Sequence, residues 1–318
     1  GQRPCASAVL RGLLTARVAS LSWLCFPLFD SPSVFSRIQG TDELGHWLLA
    51  PSESGASVVD RRYIDSTFVL QTIWKTGSGS VIVTDFMPLG DSGSSLVRRV
   101  TGVEGSVKMR QELRIRPGYS TVLPWMSRVR DHEPTAAPVL LAMAGPDALA
   151  LRGPHLPHAH AHGHEGEFVV SKGEELDFEL TWFPSHRPLP PATDVDAALE
   201  EATDYWSRWG SHCRQDGVYG GAVKRSLLVL RALTHLETGG IVAAPTTSLP
   251  GDFGGPRNWD YRYCWLRDAA LTLESMLTHG YETEALQWRN WLLRALAGDP
   301  EQMQIMYGVG GERELPER

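Results

Sequence analysis

Gly254-Gly255-Pro256-Arg257-Asn258-Trp259-Asp260-Tyr261-Arg262-Tyr263-Cys264-Trp265-Leu266-Arg267-Asp268 runs without a break into a helical pattern over residues 269–278. Trp259, Tyr261, Tyr263 and Trp265 fall at every second position, so an extended chain places them on one face, with Asp260, Arg262 and Cys264 on the other. An ordinary buried strand alternates aliphatic with polar residues. This one offers rigid aromatic planes with polar tips, a shape that suits the C–H faces of a sugar ring.

The run ends in Arg267-Asp268 where the helical period begins, so the pair is expected in a first helical turn, beside orphan N–H groups and the positive end of the dipole. A guanidinium fork next to a carboxylate can hold two neighbouring sugar hydroxyls through charge-assisted hydrogen bonds, roughly twice as strong as neutral ones. A second reading needs no ligand: the aromatics are core, Asp268 is a cap, and Arg267 pairs with a surface carboxylate. Spacing alone leaves both open.

The run GGPRNWDYRYCWLRDAALTLE resembles the signature of glycoside hydrolase family 15, the glucoamylase family, in its bacterial branch that includes trehalases. The flanks resemble further blocks of that branch: Trp23-Leu24-Cys25-Phe26-Pro27-Leu28-Phe29-Asp30-Ser31-Pro32-Ser33-Val34-Phe35, Trp288-Arg289-Asn290-Trp291-Leu292 and Gln304-Ile305-Met306-Tyr307-Gly308. Near the start the chain departs from the pattern. Thr15-Ala16-Arg17-Val18-Ala19-Ser20 and Leu28 stand where members often carry a charged or polar loop and a basic residue.

The resemblance implies a multi-domain β + α chain. An N-terminal antiparallel β-sandwich is expected over residues 1–190, a helical linker over 191–216, and the first helices of an (α/α)6 barrel over 217–318, with the C-terminal part of the barrel missing. It implies an exo-acting, inverting α-glucosidase that releases glucose from non-reducing ends of trehalose or an α-linked glucose oligosaccharide, with no cofactor and no metal. Arg267 and Asp268 are assigned to the first glucose, with Tyr261 and Trp265 shaping that subsite. In such enzymes one carboxylic acid protonates the leaving oxygen and a second carboxylate activates water, roughly 6.5–9.5 Å apart. Both are expected beyond residue 318. Twelve helices of about 12 residues with loops of about 4–6 require on the order of 200 residues, and only about 100 follow the linker. The chain alone is therefore expected to be inactive.

With 318 residues, 42% of them hydrophobic, the chain can bury a sizeable core, and two domains are the first expectation. A net charge of −7 without a basic block argues against nucleic acid. Cys5, Cys25, Cys213 and Cys264 are far apart and form no CxxC pair, which reads as free thiols in a reducing compartment. Nothing approaches 18 uninterrupted apolar residues, so the expectation is a soluble cytoplasmic protein with no membrane partner. The oligomeric state is left open.

Short alternating runs separated by Gly, Pro, Asp and Ser give the first 190 residues their β character; residues 68–74, 80–84, 107–115 and 175–183 are each strand-length. Within residues 155–164, His158, His160, His162 and His164 recur at every second position, and an extended chain would show them on one side as a possible Zn or Ni site. Their Ala, Gly and Pro spacers fit an exposed hairpin tip better. Beyond the proline-rich residues 184–191, Thr193-Asp194 caps a helix whose Val195, Leu199, Ala202, Trp206 and Trp209 step by four and three. Its tryptophans are expected to pack between the domains. From Val218 a nearly all-apolar helix is expected to end at Gly239-Gly240, with further helices near 268–279 and 282–297.

Asp260, Glu312, Glu314 and Glu317 are the local acids to weigh as substitutes. Asp260 is expected to orient Arg262 or Arg257, and the last three cluster with Arg313 and Arg318 in a solvated loop. Two other readings remain open: a disaccharide phosphorylase of sandwich-plus-barrel build, and a non-catalytic sandwich that binds glucan.

Overall fold

The computed structural model describes residues 14–15, 19–89, 94–130, 137–214, 217–246, 259–296, 298 and 300–315. Its first part is wholly antiparallel. The strands are β1 (Leu14–Thr15), β2 (Ser20–Cys25), β3 (Ser33–Phe35), β4 (His46–Pro51), β5 (Ser57–Tyr63), β6 (Leu70–Lys75) and β7 (Gly79–Phe86). They continue with β8 (Ser94–Arg114), β9 (Trp125–Arg130), β10 (Pro138–Ala144), β11 (Asp147–Arg152), β12 (His158–His160), β13 (Gly163–Ser171) and β14 (Glu175–Pro184).

The 21-residue β8 joins two layers. Its first half pairs with β7 and β14, its second half with β4 and β13. The change of layer falls where register with β7 slips and where Gly105 adopts φ +63°; a Cβ there would lie 2.0 Å from Ser78 O. Leu21, Trp47, Leu49, Val83, Val100, Met109, Leu151, Phe178 and Leu180 fill the space between the layers as one core. Sequence alternation finds only the second half of β8, because Arg98-Arg99 interrupts the apolar run. Arg98 is nevertheless fully buried, its Nε donating to Asp85 Oδ1 at 2.8 Å and its Nη1 to Trp47 O at 2.8 Å.

Four α-helices follow among the described residues: α1 (Val195–Ser211), α2 (Gly220–Ala232), α3 (Leu266–Thr278) and α4 (Glu282–Ala295). Asp194 caps α1 by accepting the Ala197 N–H at 3.2 Å. The tryptophans of α1 bridge the two parts as the spacing suggests. Trp206 meets Phe68 of the sandwich edge-on with centroids 4.7 Å apart, and Trp209 stacks on Tyr281 at 4.1 Å. Arg225 of α2 reaches back to Thr67 O at 2.7 Å. No helix among the described residues is long and apolar enough to cross a membrane.

One expectation is corrected. The helix from Val218 does not run to Gly239-Gly240: α2 stops at Ala232, Val229 faces solvent, and Thr234 bridges Ile241. The Thr238 hydroxyl bonds His235 Nδ1 and Val309 O, a local alternative to the helical ladder. The histidine tract forms the exposed hairpin that its Ala, Gly and Pro spacers favour, not one extended face. Ala161 and His162 occupy the left-handed region of a two-residue turn, and Ala159 pairs with His164. That register sets His164 on the opposite face from His158 and His160. Among the described residues no group of three or more His, Cys, Asp or Glu could hold a metal.

Candidate functional site

The second half of the signature is held by a short ladder. β15 (Cys264–Trp265) pairs antiparallel with β16 (Met306–Tyr307), setting Cys264 opposite Tyr307 and Trp265 opposite Met306. Leu266 N then donates to Ile305 O at 3.0 Å as α3 begins. Arg267 and Asp268 therefore fall in the first turn of α3, as their position predicts. Their side chains are 72% and 34% exposed, and Arg267 Nη2 lies 3.4 Å from Asp268 Oδ2. A contact of that length is weak, so both groups keep hydrogen-bonding capacity for a ligand.

The aromatic residues do not lie on one extended face. The chain turns at residues 261–262, because Asp260 Oδ1 accepts the Arg262 backbone N–H at 3.0 Å and closes an Asx-type turn. Tyr263 is driven into the interior. Trp259 and Tyr261 instead meet the nearly buried Trp265 edge-on, with centroids 6.0 and 5.6 Å away. Trp265 donates its indole N–H to Asp260 O at 2.9 Å. Trp259 is 52% exposed. Arg267, Asp268, Trp265 and Tyr261 are thus neighbours around the head of one helix. Gly254, Gly255, Pro256, Arg257 and Asn258 lie outside the described residues.

Arg262 is the residue that sequence reasoning undervalued. Its guanidinium is buried between the two parts of the molecule. It donates to Asp260 through Nε at 3.0 Å and Nη2 at 2.5 Å, to Ser31 O at 3.0 Å and Phe29 O at 3.4 Å, and to the Tyr119 hydroxyl at 2.5 Å. Cys25 Sγ lies 3.4 Å from Nη1, yet burial pushes the thiol up to about 11 against the pull of that cation. Arg262 partners Asp260, as one of the two expected arginines; the other, Arg257, lies outside the described residues. No local signal could have exposed the sandwich contacts, since the partners lie more than a hundred residues away in sequence.

Asp30 and Glu312 have structural partners. Asp30 Oδ2 accepts the Val309 N–H at 2.8 Å; burial raises its pKa, and the neighbouring Glu312 charge adds to the rise. Glu312 Oε2 accepts the Gly310 N–H at 2.9 Å. Arg313 donates to Gln302 O, Glu314 is exposed, and Glu317 and Arg318 lie outside the described residues.

Residues 217–318 match glycosyl hydrolases family 15, and residues 6–154 match the trehalase-like N-terminal family. A trehalase of Thermoplasma acidophilum is 30% identical over 313 residues, a match that covers 96% of this chain and 52% of that protein. A trehalase of Mycolicibacterium smegmatis is 31% identical over 345 residues, covering 96% and 49%. The chain spans about half the length of the curated relatives it matches. A crystal structure of bacterial glucoamylase complexed with acarbose shares the fold, with a TM-score of 0.63 over 98% of this chain and 54% of that one at 13% identity.

Proposed function

We propose that the chain, whose residues 217–318 match glycosyl hydrolases family 15, forms part of an exo-acting, inverting α-glucosidase of trehalase or glucoamylase type. Residues 1–190 are its sandwich, 191–216 its connector and 217–318 the first helices of its barrel. The observation that carries the reading is the Arg267–Asp268 pair, open to solvent at the head of α3 beside Trp265. A planar fork and a carboxylate side by side supply donors and acceptors in the pattern that adjacent sugar hydroxyls need. Trp265 and Tyr261 offer the apolar walls. Trehalose, named by the curated relatives, is the first substrate to test, and an α-linked glucose oligosaccharide the second. The buried Cys25 and Cys264 thiols suit a cytoplasmic setting.

The reading assigns binding, not proton transfer, to this stretch. Asp260 is committed to Arg262, and Glu312 to its own turn. An inverting pair must face each other across a ring, and the general acid and base are proposed to come from outside residues 1–318.

Calorimetric titration with trehalose and with maltose tests the reading, lactose serving as the β-linked control. The Arg267→Ala variant is expected to weaken binding of the active sugar by about tenfold or more, the size of a lost charge-assisted hydrogen bond. Parent-like affinity in that variant would overturn the assignment.

A further inference from the structure

Tyr119 sits in the connection between β8 and β9, where Gly118, Tyr119 and Ser120 adopt φ of +66°, +57° and +68° in succession. Two non-glycine residues in the left-handed region are costly and persist only where their surroundings dictate them. Here Ser120 Oγ donates to Leu44 O at 2.7 Å, and Ser120 N donates to Arg116 O at 3.3 Å. The turn aims the Tyr119 hydroxyl at Arg262 Nη2, and the guanidinium carbon lies 5.3 Å from the Tyr119 ring centre and 5.5 Å from that of Trp23.

Arg262 passes this placement onward. Asp260 takes the guanidinium on both carboxylate oxygens and the Arg262 backbone N–H on Oδ1, so residues 260–262 are locked as one unit. The carbonyl of the same Asp260 holds the Trp265 indole N–H at 2.9 Å. We propose that Tyr119 of the sandwich is a positioning residue for the sugar subsite, fixing the Trp265 ring through Arg262 and Asp260. The inference rests on the reading of Arg267, Asp268 and Trp265 as a glucose site. It gives the sandwich a part in that site beyond support: its turn sets the angle of one wall, 146 residues away in sequence from Tyr119 to Trp265.

The test is Tyr119→Phe, which keeps the ring and removes the hydroxyl, with Arg262→Lys as a second variant that keeps the charge and loses the fork. The Trp265 indole N–H is followed in nitrogen–proton spectra, assigned by its loss in Trp265→Phe, with the Trp209 indole as internal reference. Both variants are expected to shift the Trp265 signal and speed its solvent exchange while the Trp209 signal holds. Tyr119→Phe is further expected to weaken trehalose or maltose binding about three- to tenfold. An unmoved Trp265 signal in both variants overturns the inference whatever the sugars do. So does parent-like sugar affinity in Tyr119→Phe when Arg267→Ala weakens it. A shifted indole signal with Arg267→Ala leaving sugar affinity intact would support the strut and end the glucose-site reading instead.

Discussion

Trp209 on α1 donates its indole N–H to Glu284 Oε1 on α4 across 2.6 Å, and both side chains are buried. Arg231 of α2 brings its Nε to 3.8 Å from the same oxygen while donating to the Tyr205 hydroxyl at 3.1 Å. One carboxylate on α4 thus ties that helix to the consecutive pair α1 and α2. Trp209→Phe keeps most of the stacking on Tyr281 but strips the carboxylate of its indole donor. The expected loss is about 1.5–3 kcal/mol of unfolding free energy, read by urea denaturation. Glu284→Gln retains an acceptor and should cost less; equal losses would show that packing, not the hydrogen bond, carries the effect.

The Arg98–Asp85 pair inside the sandwich predicts a larger effect. Arg98 also serves Trp47 O and Ala19 O, so Asp85→Ala leaves a buried guanidinium without its counter-charge. Breaking such a pair costs about 3–5 kcal/mol, whereas replacing both members by apolar residues of similar volume is far milder. Guanidinium denaturation of Asp85→Ala against the Asp85→Leu, Arg98→Met double variant checks this. A double variant less stable than Asp85→Ala would contradict it.

Asp30 gives stability a pH dependence of definite sign. Burial raises its folded pKa above the ordinary 3.8, so the folded chain holds the proton more tightly than the unfolded chain does. The associated stabilisation is complete below 3.8 and is lost as pH rises through the raised folded value. Asp30→Asn can still accept the Val309 N–H but does not titrate. Its unfolding free energy should gain on the parent's as pH climbs above 3.8, then level off. A difference that stays flat across the pH series would exclude Asp30 as the source.

Leu271 and Leu277 on α3 and Leu286 and Leu293 on α4 are 49–60% exposed. In the proposed barrel these faces meet further helices. For the chain by itself, Leu271→Glu and Leu286→Lys should change stability by only about 0.5 kcal/mol and should reduce self-association, since exposed apolar patches drive it. Light scattering beside thermal unfolding separates the two effects. A steep loss of stability would mean that these leucines pack within the chain.

Much of the architecture was legible in residue order because its causes are local. Asp194 caps α1 three residues from its partner, and the apolar steps to Trp209 follow one helix face. The change of period at Leu266 places Arg267 and Asp268 in a first turn without knowledge of anything distant. The strand over residues 175–183 reads as one by alternation. Alternation failed where a buried charge broke the pattern, as at Arg98 in β8, and where a side chain bent the backbone, as Asp260 does at residues 261–262.

By itself, then, the order of residues determined the sandwich-then-helix layout, the start of α3 and the Arg267–Asp268 neighbourhood, all set by capping, period and steric preference within a few residues. Only the tertiary structure decided that Arg262 serves Asp260, which aromatics meet Trp265, and that Tyr119 of the sandwich touches the same network. The reason is desolvation: Arg262 becomes a hub once segments around residues 25–31 and 119 exclude water from it, and that enclosure exists in no single stretch of chain.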